Sequence, residues 1–132
     1  MNMQELATAI CQDAPVIVCL LNNYYLGMVR QMQQLFYGKR YSATCLRKRI
    51  TCPEGCKGPG PQCPPYEPDF VKWAQSYGVN GVRVGTLEEL QNAFEAAKKS
   101  TTSTVIECLI ATEELVLPMV KGGNPMSQMI LN

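Results

Sequence analysis

The sequence predicts an α/β fold in which a parallel sheet lies between helices on both of its faces, a three-layer arrangement. Segments with apolar residues at helical spacing alternate with short apolar runs, in the order helix, strand, helix, insert, helix, strand, helix, strand. In addition, the run at 16–21, VIVCLL, has no polar interruption. Such a run is typical of a parallel strand that is buried on both faces.

Each predicted helix is indicated by apolar residues three or four positions apart. Helix by helix, these residues are Met3, Leu6, Ala7 and Ile10; Met28, Val29, Met32, Leu35 and Phe36; Phe70, Val71, Ala74 and Tyr77; and Leu87, Leu90, Phe94 and Ala97. Gly78 is placed to end the third helix, and Thr86 with Glu89 forms a capping-box motif at the start of the fourth. The runs at 82–84 and 105–110 predict two further strands.

Size and composition favour one soluble domain with a packed core. The chain has 132 residues, of which 46% are hydrophobic, and its net charge of +1 gives no case for a nucleic-acid partner. Accordingly, the basic residues at 39–40 and 47–49 are expected on a solvated surface or against other domains. No apolar run reaches the roughly 18–20 residues that span a bilayer, and positions 1–12 do not resemble a signal peptide. We therefore expect a cytoplasmic protein without membrane contact.

A cysteine-, proline- and glycine-rich insert occupies about 44–67. Cys45, Cys52, Cys56 and Cys63 have the spacing C-x6-C-x3-C-x6-C, and four thiolates can hold Zn²⁺ or an iron–sulfur cluster. A flexible loop with free thiols explains the same residues equally well, whereas disulfides are less favoured without a secretion signal. The remaining cysteines are expected in the core as small apolar residues; they are Cys11, Cys19 and Cys108.

The end of the first predicted strand carries a pair of asparagines, Asn22 and Asn23, directly before a helix. Ligands of open parallel sheets bind beyond the carboxyl ends of the strands, and a helix start attracts phosphate. An asparagine amide oxygen also suits Mg²⁺. Asparagine is, however, a common turn residue after strands, and the spacing alone favours this structural interpretation.

Longer stretches resemble the catalytic subunits of acetolactate synthase (acetohydroxyacid synthase). The similar segments are MNMQELATAI, PVIVCLLNN, YYLGMVRQMQQLFYGKRYS, PDFVKWAQSYGVNGVRV and VLPMVKGG. This resemblance implies the thiamine-diphosphate (ThDP) binding fold, and specifically its diphosphate-binding domain. The family's Gly-Asp-Gly motif would come a few residues before Met1. We therefore expect 1–132 to be a partial C-terminal ThDP- and Mg²⁺-binding domain, incomplete at its N-terminus, with the insert at 44–67 and a tail at 115–132.

The resemblance also implies a set of site residues. It assigns Mg²⁺ to the Asn23 side-chain oxygen and to the backbone carbonyl of Tyr25, and it places Gly27 and Met28 against the diphosphate and the thiazolium. The implied substrate pocket consists of Met28, Val29 and Met32. The family usually has tryptophan where this chain has Met32, so the resemblance leaves the substrate preference open. It assigns no catalytic residue to this chain, because the family's catalytic glutamate lies in another domain, on the partner subunit.

The implied reaction of the full enzyme is the condensation of pyruvate with a second 2-keto acid, pyruvate or 2-ketobutyrate, in valine and isoleucine biosynthesis. FAD, where the family uses it, binds mainly to a middle domain. The family also implies a homodimer or tetramer and a regulatory small subunit. We expect the chain to be inactive alone and to expose apolar surface. Two alternatives remain: a non-catalytic, metal-stabilised module built on the four cysteines of the insert, and a related ThDP-dependent decarboxylase or carboligase.

Overall fold

The computed structural model describes residues 2–56, 58, 60–63 and 68–131. The elements are α1 (Glu5–Cys11), β1 (Ile17–Asn22), α2 (Gly27–Phe36), α3 (Phe70–Ser76), β2 (Asn80–Val84), α4 (Leu87–Lys99), β3 (Thr104–Leu109) and a 3-10 turn, Met126–Gln128. The strands form a parallel sheet with the order β1-β3-β2. This confirms the predicted parallel α/β fold. The part of the predicted insert at 57, 59 and 64–67 lies outside the described residues.

The chain divides into two compact units. The first, which we call the sheet unit, comprises Met1–Asn22 and Pro68–Ile110 and contains the sheet with α1, α3 and α4. The second, which we call the loop unit, comprises Asn23–Glu67 and Ala111–Asn132 and contains α2, the insert and the C-terminal tail. No helix within the described ranges is both long enough and apolar enough to cross a bilayer.

The sheet unit has helices on both faces of the sheet, as the sequence predicts. Successive side chains of β3 point to opposite faces. Val105 packs with Leu6 of α1 and Ala74 of α3, whereas Ile106 packs on the other side with Ala97 of α4. Trp73 and Tyr77 pack against the first of these clusters and contact each other edge to face. The core therefore lies in two layers around β3.

The prediction that β1 is buried on both faces is wrong. Val18 and Leu21 are 37% and 68% exposed, because in the described sheet β1 pairs with β3 alone. The enclosed strand is β3, in which Val105 and Ile106 are fully buried. A run of apolar residues indicates a strand, but the sheet order decides which strand is at the centre.

Burial also differs from the prediction at several other positions. Cys108 is buried as expected, but Cys11 and Cys19 are exposed, because the first ends a short helix and the second lies on the edge strand. In α4, Leu87 and Phe94 are 71% and 40% exposed. That helix packs against the sheet instead through Leu90, Ala93 and Ala97.

The end of α3 has the local geometry that the sequence predicts. Gly78 adopts a left-handed φ of +76°, a conformation that glycine reaches without steric cost. Its N–H donates to Gln75 O at 2.9 Å, and the N–H of Val79 donates to Ala74 O at 3.3 Å. This is the Schellman pattern, which satisfies the last carbonyls of the helix and leads the chain directly into β2.

The predicted capping box at the start of α4 is present, and it makes stability depend on pH. Glu89 accepts hydrogen bonds from the N–H groups of Gly85 at 2.7 Å and Thr86 at 3.2 Å, and these bonds hold the pKa of its carboxyl below the ordinary value. A lowered folded-state pKa contributes stability above the unfolded-state pKa, about 4.3, and this contribution disappears as the pH falls through the folded value. We therefore expect Glu89→Gln to destabilise the protein at neutral pH and to have little effect near pH 2.

Urea denaturation of both proteins at the two pH values measures this difference. The control is Glu88→Gln, which changes the neighbouring exposed carboxylate of the same helical turn. An equal loss of stability from Glu89→Gln at both pH values would contradict the role of the carboxylate charge.

Candidate functional site

The segment that follows β1 forms a tight turn at the start of the loop unit. The Asn23 side-chain oxygen, Oδ1, accepts the N–H of Tyr25 at 3.0 Å, and Tyr24 has a left-handed φ of +66°. This bond is of the Asx-turn type. The structural role predicted for asparagine is therefore present. It does not exclude a ligand role, because an amide oxygen has two lone pairs and the turn uses one.

Gly27 lets the Asn23 side chain lie directly against the start of α2. A Cβ atom at Gly27 would come within 3.3 Å of Asn23 Nδ2, which is tighter than ordinary packing. The N-cap residue of α2 is Leu26, whose side chain carries no polar atom. The N–H groups of the first helical turn consequently have no capping side chain and are available to an external acceptor. The turn and the helix start together form a cradle that suits an anionic group.

The first residues of the insert brace this turn. The N–H of Leu26 donates to Thr44 O at 2.8 Å, and the N–H of Leu46 donates to Tyr24 O at 3.0 Å. Between these bonds, Tyr25 and Cys45 form an antiparallel bridge. The backbone of the turn is thus paired with residues that the sequence analysis placed in a separate insert.

Arg30 is a residue that the sequence analysis missed. It lies on α2 and is only 4% exposed, with its guanidinium 4.1 Å from the ring centre of Tyr25 and 3.7 Å from that of Tyr41. It also pairs with Glu113, whereas its Nε and Nη1 have no hydrogen-bond partner among the described residues. Cation–π contacts and the ion pair offset part of the cost of burying this charge. Arg30 therefore connects the turn, α2 and the segment after β3.

Burial raises the pKa of the Tyr25 hydroxyl, and the positive charge of Arg30 opposes this shift less strongly. Burial and then the negative charge of Glu113 raise the pKa of Tyr41. Both rings that flank Arg30 are therefore neutral at physiological pH and present their electron-rich faces to the cation.

Gln31, which is 3% exposed, fastens α2 to the C-terminal tail. Its side-chain amide donates to Val116 O at 2.9 Å and accepts the N–H of the same residue at 2.7 Å. A side chain that satisfies both backbone groups of one residue fixes the path of that segment. The tail is therefore bound to the same helix whose first turn forms the cradle.

Two of the three predicted substrate-pocket residues lie together. Val29 and Met32 line one open cavity with Gln33, Tyr37 and Arg40. Met28 precedes them on α2 and is 51% exposed. The sequence analysis expected Arg40 on a solvated surface or against other domains, and the residue is exposed at the edge of this cavity. The lining therefore combines apolar side chains with the positive charge of an exposed arginine.

The four cysteines of the insert line one cavity, together with Tyr25 and Gly58. All seven cysteines of the chain are free thiols. Within the residues that the structure describes, no three histidine, cysteine or acidic side chains already lie close enough to share a metal ion. The metal site at Cys45, Cys52, Cys56 and Cys63 therefore stays a prediction.

The sheet unit contains a buried polar chain that the sequence analysis also missed. Glu107, at the centre of β3, is fully buried and accepts hydrogen bonds from Asn22 Nδ2 at 2.7 Å and Arg83 Nε at 2.8 Å. Arg83 Nη2 lies 3.5 Å from Asp69 Oδ1. A glutamate inside the apolar run VIECLI was the available signal, because a buried carboxylate requires partners. This chain of bonds fixes Asn22, the last residue of β1.

Comparison with known proteins gives a consistent assignment. The acetolactate synthase large subunit of Cyanidium caldarium is 35% identical over 130 residues, which are 98% of this chain and 19% of that protein. The subunit of Haemophilus influenzae is 35% identical over 133 residues, which are 100% of this chain and 20% of that protein. The chain thus spans about a fifth of the length of these curated relatives.

A solved structure has the same fold. The thiamine-diphosphate-dependent 4-hydroxybenzoylformate decarboxylase of Rhodococcus jostii RHA1 aligns with a TM-score of 0.64 and 25% identity, over 86% of this chain and 18% of that one. Residues 1–108 match the family described as thiamine pyrophosphate enzyme, C-terminal TPP binding domain, where thiamine pyrophosphate is another name for ThDP. This chain therefore belongs to the family of C-terminal thiamine-pyrophosphate-binding domains of thiamine pyrophosphate enzymes.

Proposed function

We propose that this chain is the diphosphate- and Mg²⁺-binding part of a ThDP-dependent acetolactate synthase large subunit. The observation that carries the proposal is the cradle formed by Asn23, Gly27 and the uncapped start of α2, in a chain whose curated relatives are acetolactate synthases. The complete enzyme would join two molecules of 2-keto acid. With pyruvate as both substrates, the products are 2-acetolactate and carbon dioxide.

The residues present fit the cofactor. Asn23 Oδ1 and the backbone carbonyl of Tyr25 are neutral oxygen ligands of the kind that Mg²⁺ accepts beside phosphate oxygens. The first N–H groups of α2 would receive the diphosphate, and the missing side chain at Gly27 keeps this approach open. Met28 follows at the edge of the cradle. The bound cofactor supplies the carbanion-stabilising chemistry, and these residues bind and orient it.

The cavity beside the cradle suits a small 2-keto acid. The apolar side chains of Val29 and Met32 would contact the alkyl group, and the guanidinium of Arg40 is suited to the carboxylate. Methionine is unbranched and flexible, so Met32 forms an adaptable wall. We infer pyruvate and 2-ketobutyrate as substrates, in valine and isoleucine biosynthesis in the cytoplasm.

We further propose that the chain alone has no synthase activity. It spans about a fifth of its relatives and has no histidine, and the proposed site would bind and orient the cofactor. The catalytic glutamate, the FAD-binding region and the contacts with a second large subunit and a regulatory small subunit would belong to other parts of the complete assembly.

A second candidate is a ThDP-dependent decarboxylase that releases an aldehyde. The likeness to the solved 4-hydroxybenzoylformate decarboxylase favours it. The higher identity to acetolactate synthases, over almost the whole chain, favours the first candidate. Product analysis of the complete enzyme with pyruvate distinguishes the two, because one gives acetolactate and the other gives acetaldehyde.

Calorimetric titration of the chain with ThDP in the presence of Mg²⁺ tests the proposed site. We expect Mg²⁺-dependent binding, and Asn23→Ala should weaken it by roughly tenfold or more because it removes a metal ligand. Asn23→Asp, which keeps an oxygen at the same position, should retain Mg²⁺-dependent binding. Asn92→Ala on the exposed surface of α4 is the matched control. Equal ThDP affinities of the wild type and Asn23→Ala would contradict the assignment of Asn23 as a metal ligand.

A further inference from the structure

We propose that Cys45, Cys52, Cys56 and Cys63 bind a single soft divalent metal ion of the Zn²⁺ type through four thiolates, and that this ion clamps the insert onto the Tyr25 turn. The proposal concerns the loop unit alone and goes beyond the cofactor site. It does not require that the chain binds ThDP.

The first argument is convergence. The four cysteines are spread over the insert with spacers of six, three and six residues, yet all four line one cavity. Arg47 and Lys48 line the same cavity. A Zn²⁺ ion with four thiolates is negatively charged, and these two cations would offset that charge.

The second argument concerns the hydrogen bonds of the sulfur atoms. The backbone N–H of Arg49 donates to Cys52 Sγ at 3.2 Å, and that of Gly60 donates to Cys63 Sγ at 3.3 Å. Hydrogen bonds of this kind stabilise a charged ligand atom and orient it towards a metal. Two of the four sulfur atoms thus accept backbone hydrogen bonds that would stabilise a thiolate.

The third argument is that the described part of the insert after Leu46 has no buried apolar side chain to stabilise it. Ile50 is fully exposed, Cys56 is exposed, and the described part of the segment contains no helix or strand. A bound metal supplies the free energy that a small loop cannot obtain from apolar burial. No three potential ligands in the described chain are yet close enough to hold an ion, so the site would form as the side chains turn inward on binding.

The insert would transmit this closure to the turn. Cys45 is paired with Tyr25, and hydrogen bonds on either side of the pair join Thr44 to Leu26 and Leu46 to Tyr24. At the other end of the cavity, the backbone of Gly58 lies so near the Tyr25 hydroxyl that a Cβ atom there would overlap it. An ion that draws the four thiols together would therefore tighten the insert around Tyr25 from two sides.

Metal analysis and Co²⁺ substitution of the purified chain test the proposal. We expect about one zinc per chain and, after exchange, the visible and thiolate charge-transfer bands of tetrahedral Co²⁺. Cys56→Ser should weaken metal binding by roughly tenfold or more. Cys11→Ser, which changes an exposed cysteine in the sheet unit, is the control and should bind as the wild type does.

A chain that takes up neither zinc nor cobalt would overturn the proposal, as would an iron–sulfur absorption spectrum or an equal effect of Cys11→Ser. If Cys56→Ser does not fold, the proposal is tested on the wild-type chain by counting the thiols that react with an alkylating reagent. Zn²⁺ should then protect four of the seven thiols from alkylation, and protection of none contradicts the site. Hydrogen exchange at the amides of Leu26 and Leu46 should slow with Zn²⁺, because these amides bridge the insert and the turn.

Discussion

Glu107→Ala is expected to lower the free energy of unfolding by about 3 kcal/mol, since breaking a buried ion pair costs roughly 3–5 kcal/mol. The variant removes the acceptor of both Asn22 Nδ2 and Arg83 Nε from a fully buried position in the central strand. We place the loss at the lower end because the Arg83 side chain is 44% exposed and remains near Asp69. In the variant, water can therefore replace part of the hydrogen bonding that the Arg83 guanidinium loses.

Urea denaturation at neutral pH measures this loss. Glu107→Gln removes the negative charge but keeps the size of the side chain. Its amide oxygen can still accept the hydrogen bond from Asn22, whereas its NH₂ group would face the guanidinium of Arg83, which is also a donor. Its effect should be smaller than that of alanine. Glu114→Ala, at an exposed glutamate, is the control and should change stability by less than about 0.5 kcal/mol. If Glu107→Ala is no worse than this control, the buried network does not stabilise the sheet unit.

Gly81→Ala is the second large effect that we expect, with a loss of about 2–3 kcal/mol from overpacking. A Cβ atom at Gly81 would lie 2.8 Å from the backbone oxygen of Val71 and 3.2 Å from the Cβ of Ala74. The first distance is shorter than real contacts allow, and a backbone atom cannot rotate away. Helix α3 would have to move away from the sheet, which would loosen the packing of fully buried Ala74.

Gly122→Ala provides the control, because a Cβ atom there would meet nothing within 4 Å and the residue has no left-handed φ. The control should be neutral or slightly stabilising, since alanine has fewer unfolded conformations than glycine. Circular dichroism during urea denaturation reports both variants. A Gly81→Ala protein as stable as wild type would mean that α3 does not approach the sheet as closely as described.

Several apolar side chains are exposed in this chain, which covers about a fifth of the length of its curated relatives. Val18 and Leu21 on β1 and Met28 and Val29 on α2 are more than a third exposed. Single exposed apolar side chains are common on protein surfaces, whereas contiguous apolar patches mark interaction surfaces. Self-association of the isolated chain therefore stays a prediction from the sequence that sedimentation measurements can check.

Local sequence signals determined the secondary structure well. The capping box at Thr86 and Glu89, the left-handed Gly78 and the turn after β1 depend on neighbouring residues and on hydrogen bonds that close within one helical turn. Such signals are complete within a few residues of sequence. The family resemblance added the predicted site around Asn23, because the motif that carries it is continuous in the chain.

Tertiary structure alone decided which apolar and polar residues are buried. Arg30 and Glu107 are charged, and a helical or strand pattern by itself assigns them to solvent, yet both are buried beside partners more than 20 positions away. Conversely, Cys19 belongs to an apolar run but lies exposed on the edge strand. Periodicity specifies which side chains share a face, whereas burial depends on what covers that face. The covering elements come from distant parts of the chain, so burial is decided by the order β1-β3-β2 and by the packing within each unit.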